Sequence, residues 1–226
     1  MKKLSVFKWL IALLYVYSFS AWADTEEDGR FWLNINAQGA LPVENWSWFA
    51  EIQPRWKEEG REFDQLIIRP AVLYKLSKQS SVGLGYAHVT THKKSGNQEE
   101  NRLWQQYTYN FEPIETITLQ SRTRLEQRHM GDASDTAHRL RQMLRVTRPL
   151  ASNPAFSLVM WDEVMFNFND TDWGARSGFD QNRLFLGTSL QVNRAKIEVG
   201  YINQYINASK IDKENHVLST TLGFNF

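Results

Sequence analysis

A chain of 226 residues with no cysteine forms no disulfide and offers no thiolate to a metal. Its 26 basic residues nearly balance its 25 acidic ones, which gives no reason to expect nucleic acid as a partner. No long apolar run occurs beyond residue 23, so the composition excludes a membrane protein built from helices.

The N-terminus predicts a secretory signal peptide over residues 1–23. A basic start precedes an apolar run of about eleven residues, and Ala21-Trp22-Ala23 fits an A-x-A cleavage site. The alternative is a membrane anchor, but the run is shorter than the about 20 residues that a spanning helix needs. We therefore expect Asp24 to begin the mature protein and residues 24–226 to form one domain.

From residue 29 onwards, stretches of roughly 10–14 residues alternate apolar and polar side chains between short polar breaks. This period of two predicts strands, and no stretch has the period of a helix. The predicted strands are 29–38, 44–57, 63–76, 81–92, 99–112, 115–128, 136–148, 155–168, 179–192, 196–207 and 215–226.

The pattern predicts an all-β fold, a transmembrane antiparallel up-and-down β-barrel of 10–12 strands. In such a barrel only alternate residues meet lipid, so the average composition stays polar. Bacterial single-chain barrels have an even number of strands, whereas the pattern gives an odd one. Either segment 29–38 lies outside the wall, leaving ten strands, or one strand was missed, giving twelve. We favour twelve.

The last predicted strand indicates both the cellular location of the protein and the orientation of the barrel. Its outward face is apolar and ends on an aromatic, similar to the C-terminal signal of outer-membrane β-barrels of Gram-negative bacteria. The chain is therefore expected in the bacterial outer membrane, with outer-membrane lipid, lipopolysaccharide and the barrel-assembly machinery as partners. The predicted membrane-targeting residues are Leu218, Leu222, Phe224 and Phe226.

With Phe226 at the periplasmic rim, the tight breaks fall on the periplasmic side and the longer, charged ones on the outer side. The tight breaks are 77–80, 112–114, 149–154 and 193–195, and the longer ones are 58–62, 93–98, 129–135, 169–178 and 208–214. The same orientation places aromatic residues at both ends of the strands, as two membrane interfaces require.

Alternation also separates the lumen from the lipid face. An arginine at the midplane of the lipid face would cost about 2–4 kcal/mol, so the arginines of strands 115–128 and 136–148 are placed inside. The predicted pore-lining residues are Arg69, Arg102, Arg122, Arg124, Arg128, Arg139, Arg141, Arg145, Arg183, Glu51, Glu126, Glu163 and Glu198. Arg102, Arg139 and Arg183 occupy equivalent positions on alternate strands, which predicts part of a ring below the outer mouth.

Two interpretations of this interior stay open. Guanidinium groups fixed in a narrow lumen favour anions, which predicts a monomeric porin-like channel for small anionic solutes. Alternatively, the arginines pair with Glu51, Glu126, Glu163 and Glu198 and fill a closed structural barrel. The six arginines of the two adjacent strands outnumber the single Glu126 beside them, which favours the channel.

Catalysis is the third hypothesis. An outer-rim hydrolase would use His129, His138, Asp132 and Asp135, but acidic loops produce such groupings by chance. A lipid hydrolase built on a barrel would place His and Ser two residues apart on one face of a strand. No such His-x-Ser pair occurs, and His88-Val89-Thr90 is the nearest pattern. We predict that the protein is not an enzyme and has no cofactor and no metal site.

Several motifs resemble a known family, the bacterial domain-of-unknown-function 2490 proteins. The motifs are Trp46-Ser47-Trp48 followed by Glu51 and Arg55, Leu73 to Ser77 before Gly85-Tyr86, Asn101 to Gln106, Arg122 to Arg128, and Asn182-Arg183. The resemblance covers most of residues 24–226. It implies an outer-membrane barrel with no assigned activity, so it transfers no functional residue. A looser likeness, in size and arginine-lined lumen, is to small twelve-stranded porins for acidic oligosaccharides.

Overall fold

The computed structural model describes residues 25–226, so the predicted signal peptide at 1–23 lies outside the described residues. Within this range the chain forms eleven strands and no helix that could cross a membrane. The strands are β1 (Thr25–Ala40), β2 (Trp46–Lys57), β3 (Glu62–Lys75), β4 (Ser80–Lys93), β5 (Gly96–Asn110), β6 (Thr118–Met130), β7 (Thr136–Leu150), β8 (Asn153–Asn167), β9 (Gly178–Val192), β10 (Ala195–Ile206) and β11 (Asp212–Asn225).

The strands close into one barrel, which confirms the predicted all-β barrel. Neighbours in sequence pair antiparallel, and the seam between β1 and β11 is parallel, in register from Thr25 opposite Asp212 to Gln38 opposite Asn225. Counts of ten and twelve were both wrong for the described chain. An even number is needed only if the first and last strands are antiparallel, and a parallel seam removes that requirement.

The parallel seam defines two rims. Thr25 and Asp212 lie at one rim, called here the Thr25 rim, and Ala40 lies with Phe226 at the other, the Phe226 rim. At the Phe226 rim the last residue is tied to the first strand, because the Phe226 amide donates to the Gln38 carbonyl at 2.9 Å. The Phe226 ring also stacks on Trp48, with ring centres 6.1 Å apart.

Loop lengths separate the rims less cleanly than the sequence predicted. At the Thr25 rim the loop 168–177 is the long one, but β4 and β5 are joined by only residues 94–95. Gly96, with φ of 118°, lets β5 begin directly after that turn. At the Phe226 rim the predicted tight break at 112–114 is part of a longer connection, 111–117, folded around a bridge between Ile114 and Ile117.

The outer surface of the barrel is apolar between its rims. Leucines on six different strands are between 41% and 55% exposed there. They are Leu84, Leu103, Leu125, Leu158, Leu186 and Leu218. The leucines alternate with inward-facing polar residues along each strand, so the barrel has a polar interior and an apolar outer surface.

Aromatic side chains gather at both rims. At the Phe226 rim, Trp46 packs on Tyr74 and Tyr109 on Phe111, with ring centres 5.1 and 4.9 Å apart. At the Thr25 rim, one group joins Phe31, Trp56, Phe63 and His92, and a second joins Phe166, Phe179 and Tyr205. The predicted placement of aromatics at both strand ends agrees with this arrangement.

Glycines let large rings lie flat on the inner wall. A Cβ at Gly85 would come within 2.2 Å of the Trp104 ring on the neighbouring strand. A Cβ at Gly200 would come within 2.5 Å of the Phe185 ring. Both rings are almost fully buried, and each heads an apolar cluster against the wall. Each glycine therefore leaves the space that a ring on the neighbouring strand occupies.

Candidate functional site

The barrel encloses a cavity of about 700 Å³, into which side chains from most strands point. Twelve basic side chains line it, whereas the acidic ones number seven when Glu126 and Asp180 beneath the lining are included, counted over residues 25–226. Side chains alone fill the interior of an eight-stranded barrel, and a barrel of eleven strands is wider. Its side chains therefore leave part of the interior empty. The lumen is therefore open in part and basic overall.

Two buried glutamates, Glu126 on β6 and Glu163 on β8, form the centre of the interior. Glu126 is 1% exposed and accepts hydrogen bonds from Arg139 at 2.6 Å and from Arg141 at 2.8 Å. Glu163 is 2% exposed and binds Arg141 at 2.7 Å and Arg122 at 2.7 Å. Arg141 bridges the two carboxylates, so β6, β7 and β8 share one continuous charged network, named here the central network.

Further ion pairs surround the central network. Glu100 accepts two hydrogen bonds from Arg102, both 2.8 Å, and one from Arg128 at 2.5 Å. Arg139 also reaches Asp180 on β9, with a distance of 3.0 Å.

Two of the pairs lie towards the Phe226 half. Glu51 pairs with Arg69 and accepts a hydrogen bond from Asn34 at 3.0 Å. Glu198 pairs with Arg145, which crosses the lumen from β7 to β10. Such contacts fill the interior with neutralised charge rather than with free arginine.

These pairs change the interpretation of the predicted ladder. Of the six arginines on β6 and β7 that face inward, only Arg124 has no carboxylate within 4 Å in the described chain. The partners of the others include Glu163 and Glu198, which come from β8 and β10 rather than from β6 or β7. The predicted alternative, in which the arginines pair with glutamates, holds for five of the six, so their excess over Glu126 alone does not favour the channel.

The predicted ring does not form as one group. Arg102 is occupied by Glu100, and Arg139 by Glu126 and Asp180. Arg183 lies 3.9 Å from Glu163, a carboxylate already bound by two other arginines. Each of these three arginines therefore has its own surroundings. All thirteen residues predicted to line the pore do lie in the interior of the barrel.

Two arginines in the interior have aromatic partners in place of carboxylates. Arg124 lies over Trp104, with its Cζ 4.2 Å from the ring centre, and donates to Gln106 at 2.6 Å. Arg55 lies over Trp32, with its Cζ 3.8 Å from the ring centre. No carboxylate among residues 25–226 comes within salt-bridge distance of either group. They account for part of the basic excess of the lumen.

The sequence had signals for the residues that were missed. Arg55 shares the inward face of β2 with Glu51, so alternation alone finds it. Trp32 was missed because segment 29–38 was assigned ambiguously to the wall. Asp180 gives no such signal, since its role depends on reaching Arg139 two strands away.

Two loops meet above the lumen at the Thr25 rim. The Asp172 carboxylate accepts a hydrogen bond from the Ser134 amide, and the Asp172 amide donates to Asp135, both at 2.9 Å. The Trp173 indole donates to the Asp135 carbonyl and lies 5.1 Å from the Arg128 Cζ. The loops 131–135 and 168–177 therefore cover Arg128 at this mouth.

The residues of the hydrolase hypothesis do not assemble into one site in the described chain. Asp135 is engaged with Asp172, and no hydrogen bond joins it to the side chain of His129 or His138. His88 points outward and lies 2.8 Å from Glu99. Over residues 25–226 no group of three metal-ligating side chains is found.

Comparisons with known proteins give a family and one solved structure. The family model described as "Protein of unknown function (DUF2490)" matches residues 29–215. An uncharacterized protein of Methylorubrum extorquens is 36% identical over 220 residues, which covers 94% of this chain and 95% of that protein. A solved structure described as "Unveiling the Mechanism Behind the in-meso Crystallization of Membrane Proteins" is 12% identical, with a TM-score of 0.39, and the match covers 79% of this chain and 77% of that one.

Proposed function

The chain belongs to the DUF2490 family of proteins of unknown function, and on that premise we propose that it is an outer-membrane β-barrel whose lumen admits small anions. The family description names no activity, so only the barrel itself indicates one. Its outer surface bears on the membrane around the wall, and its interior bears on the solute inside it.

The outer surface supports the membrane part. Half-exposed leucines cover the wall between two groups of aromatic residues, which is the pattern of a barrel that meets lipid. The apolar face of β11 with Leu218, Leu222, Phe224 and Phe226 fits recognition by the barrel-assembly machinery. On this proposal the Phe226 rim is periplasmic, and the Thr25 rim faces lipopolysaccharide.

A single observation carries the solute part, namely the excess of basic over acidic side chains around the cavity. In a narrow lumen with a low-dielectric wall, unneutralised guanidinium groups lower the barrier for anions and raise it for cations. The neighbouring ion pairs hold the arginines in place, so the positive field is fixed rather than mobile. We therefore expect weak anion selectivity.

Conductance of the purified barrel in a planar lipid bilayer tests the proposal. Under a salt gradient we expect openings whose reversal potential favours anions. The double substitution Arg55→Gln with Arg124→Gln removes both arginines that lack a carboxylate and should shift the reversal potential towards cations. Arg148→Gln is the matched control, since Arg148 is exposed on the other face of β7. Unchanged selectivity in the double variant would reject these arginines as the filter.

The closed structural barrel is the second candidate. The central network favours it, because Glu126 and Glu163 are nearly inaccessible and each is bound by more than one arginine. Contacts such as Arg145 to Glu198 also cross the lumen. If a barrel shown to be folded produces no openings, this candidate replaces the channel.

A further inference from the structure

Two cationic side chains in the lumen share one aromatic ring. The Cζ atoms of Arg55 and Arg183 lie 3.8 and 5.1 Å from the centre of the Trp32 ring. The arginines come from β2 and β9, which meet here only because β1 closes the barrel between β2 and β11. The positive charges of Arg55 and Arg183 repel each other, and an anion bound by both would offset that repulsion.

The protein itself supplies little negative charge to this pair. Arg55 donates to the neutral amides of Gln53 at 2.9 Å and Gln65 at 3.1 Å. Its Nε is buried and has no hydrogen-bond partner in the described chain. Arg183 donates to Gln181 at 3.2 Å, while its nearest carboxylate, Glu163 at 3.9 Å, is shared with two other arginines. Donor capacity is therefore left over at both groups.

The surroundings of the pair are apolar on one side. Trp32 belongs to a buried cluster with Phe185 and Ile202, all of which line the cavity. Trp161 stacks on Phe185, with ring centres 5.2 Å apart and planes 5° from parallel. Trp32 and Phe185 are each only 2% exposed, whereas Trp161 is partly buried and lines the cavity. A flat apolar body can therefore pack against Trp161, at the edge of the cluster, while its charged end meets the two guanidinium forks.

We propose that Arg55, Arg183 and Trp32 form a binding site for a small aromatic carboxylate. The carboxylate would accept hydrogen bonds from the two arginines, and its ring would lie against the aromatic cluster. The cavity of about 700 Å³ is within the range of small-molecule sites. The site rests on the proposed function only in that both take anions as the solute.

Benzoate is the probe, with acetate and benzamide as its two matched comparisons. Titration of the full purified protein in detergent micelles, followed by calorimetry, should show saturable benzoate binding at least tenfold tighter than acetate. Benzamide keeps the ring without the charge and should also bind at least tenfold more weakly. Equal affinity for benzoate and acetate would contradict the aromatic part, and equal affinity for benzoate and benzamide the anionic part.

Substitutions locate the site. Arg55→Gln and Arg183→Gln should each weaken benzoate binding at least tenfold, whereas Arg148→Gln on the outer face should leave it unchanged. Arg124→Gln removes the same charge elsewhere in the lumen and should change the affinity less than threefold. A loss in Arg124→Gln as large as that in Arg183→Gln would overturn a local site in favour of a general field.

A conservative variant guards against misfolding. Arg183→Lys keeps the charge but loses the fork and should weaken benzoate binding about fivefold, with folding checked by circular dichroism and heat-dependent electrophoretic mobility. An unchanged affinity in folded Arg183→Lys would count against bidentate recognition. Binding in micelles and conductance in bilayers are separate measurements. Benzoate binding without openings rejects the channel and keeps the site, whereas anion-selective openings without benzoate binding reject the site alone.

Discussion

The arginines of this lumen fall into two regions that differ in what each guanidinium group contacts. In the central network, Arg139 and Arg141 are bound by carboxylates that are almost inaccessible. Arg55 and Arg124 instead lie on tryptophan rings and donate to neutral amides. The same residue type on the same kind of wall is neutralised in one region and remains an uncompensated cation in the other.

The difference predicts which arginines hold the barrel together and, on the proposed function, which ones meet a solute. A buried ion pair gains little over an apolar pair, but removal of one partner leaves a charge without compensation. The network is therefore sensitive to single substitutions. An arginine on a ring leaves no carboxylate behind, so its removal costs the contact with the ring and its hydrogen bonds to neutral amides.

Glu126→Gln should have the largest effect on stability. It leaves Arg139 and Arg141 facing a neutral amide at the centre of the network, and we expect a loss of about 3–5 kcal/mol in the free energy of unfolding. Urea unfolding of the barrel in lipid vesicles measures it. Glu44→Gln in the exposed loop 41–45 is the control and should change little. A loss below about 1 kcal/mol for Glu126→Gln would mean that the network is not structural.

Gly85→Ala should come next, because it attacks the platform beneath Arg124. The new methyl group would meet the Trp104 ring at 2.2 Å, so the ring must shift, at an expected cost of about 1–3 kcal/mol in unfolding free energy. Gly131→Ala is the matched control, since the nearest atom to its Cβ is 3.7 Å away. Similar unfolding curves for the two variants would show that the ring has room to move.

Arg124→Gln should be milder than any break in the network. The protein loses a cation over Trp104, worth about 0.5–2 kcal/mol, and gains relief from repulsion by Arg122 and other arginines nearby. We therefore expect unfolding free energy to fall by no more than about 1 kcal/mol. A loss equal to that of Glu126→Gln would remove the distinction between the two regions.

Arg61→Ala should have the smallest effect and sets the baseline. Its pair with Glu59 is about three-quarters exposed on both sides, where water and salt screen the attraction. The same urea unfolding assay should give a midpoint indistinguishable from that of the unsubstituted protein. A measurable shift would require another role for the loop 58–61.

Alternation was enough to predict the barrel, the approximate strands and the face on which each arginine lies. It placed Arg124 and Arg141 on the same inner wall but could not tell them apart. Their difference depends on Glu163 and Trp104, whose proximity follows from strand register and closure rather than from local pattern. A rule about even strand numbers also outweighed the pattern itself, which had given the observed number of strands over residues 25–226.

The parallel seam gives the barrel a direction that circular permutation would expose. In a barrel with an antiparallel seam, the first strand begins at the same rim at which the last strand ends. A short turn can therefore join the two termini. Here β1 begins at the Thr25 rim and β11 ends at the Phe226 rim, so a joining linker must run the full height of the wall. A permuted version would carry this linker through the lumen or along the outer face of the barrel. A short loop therefore cannot join the end of β11 to the start of β1, so the strands cannot be circularly permuted with a short linker.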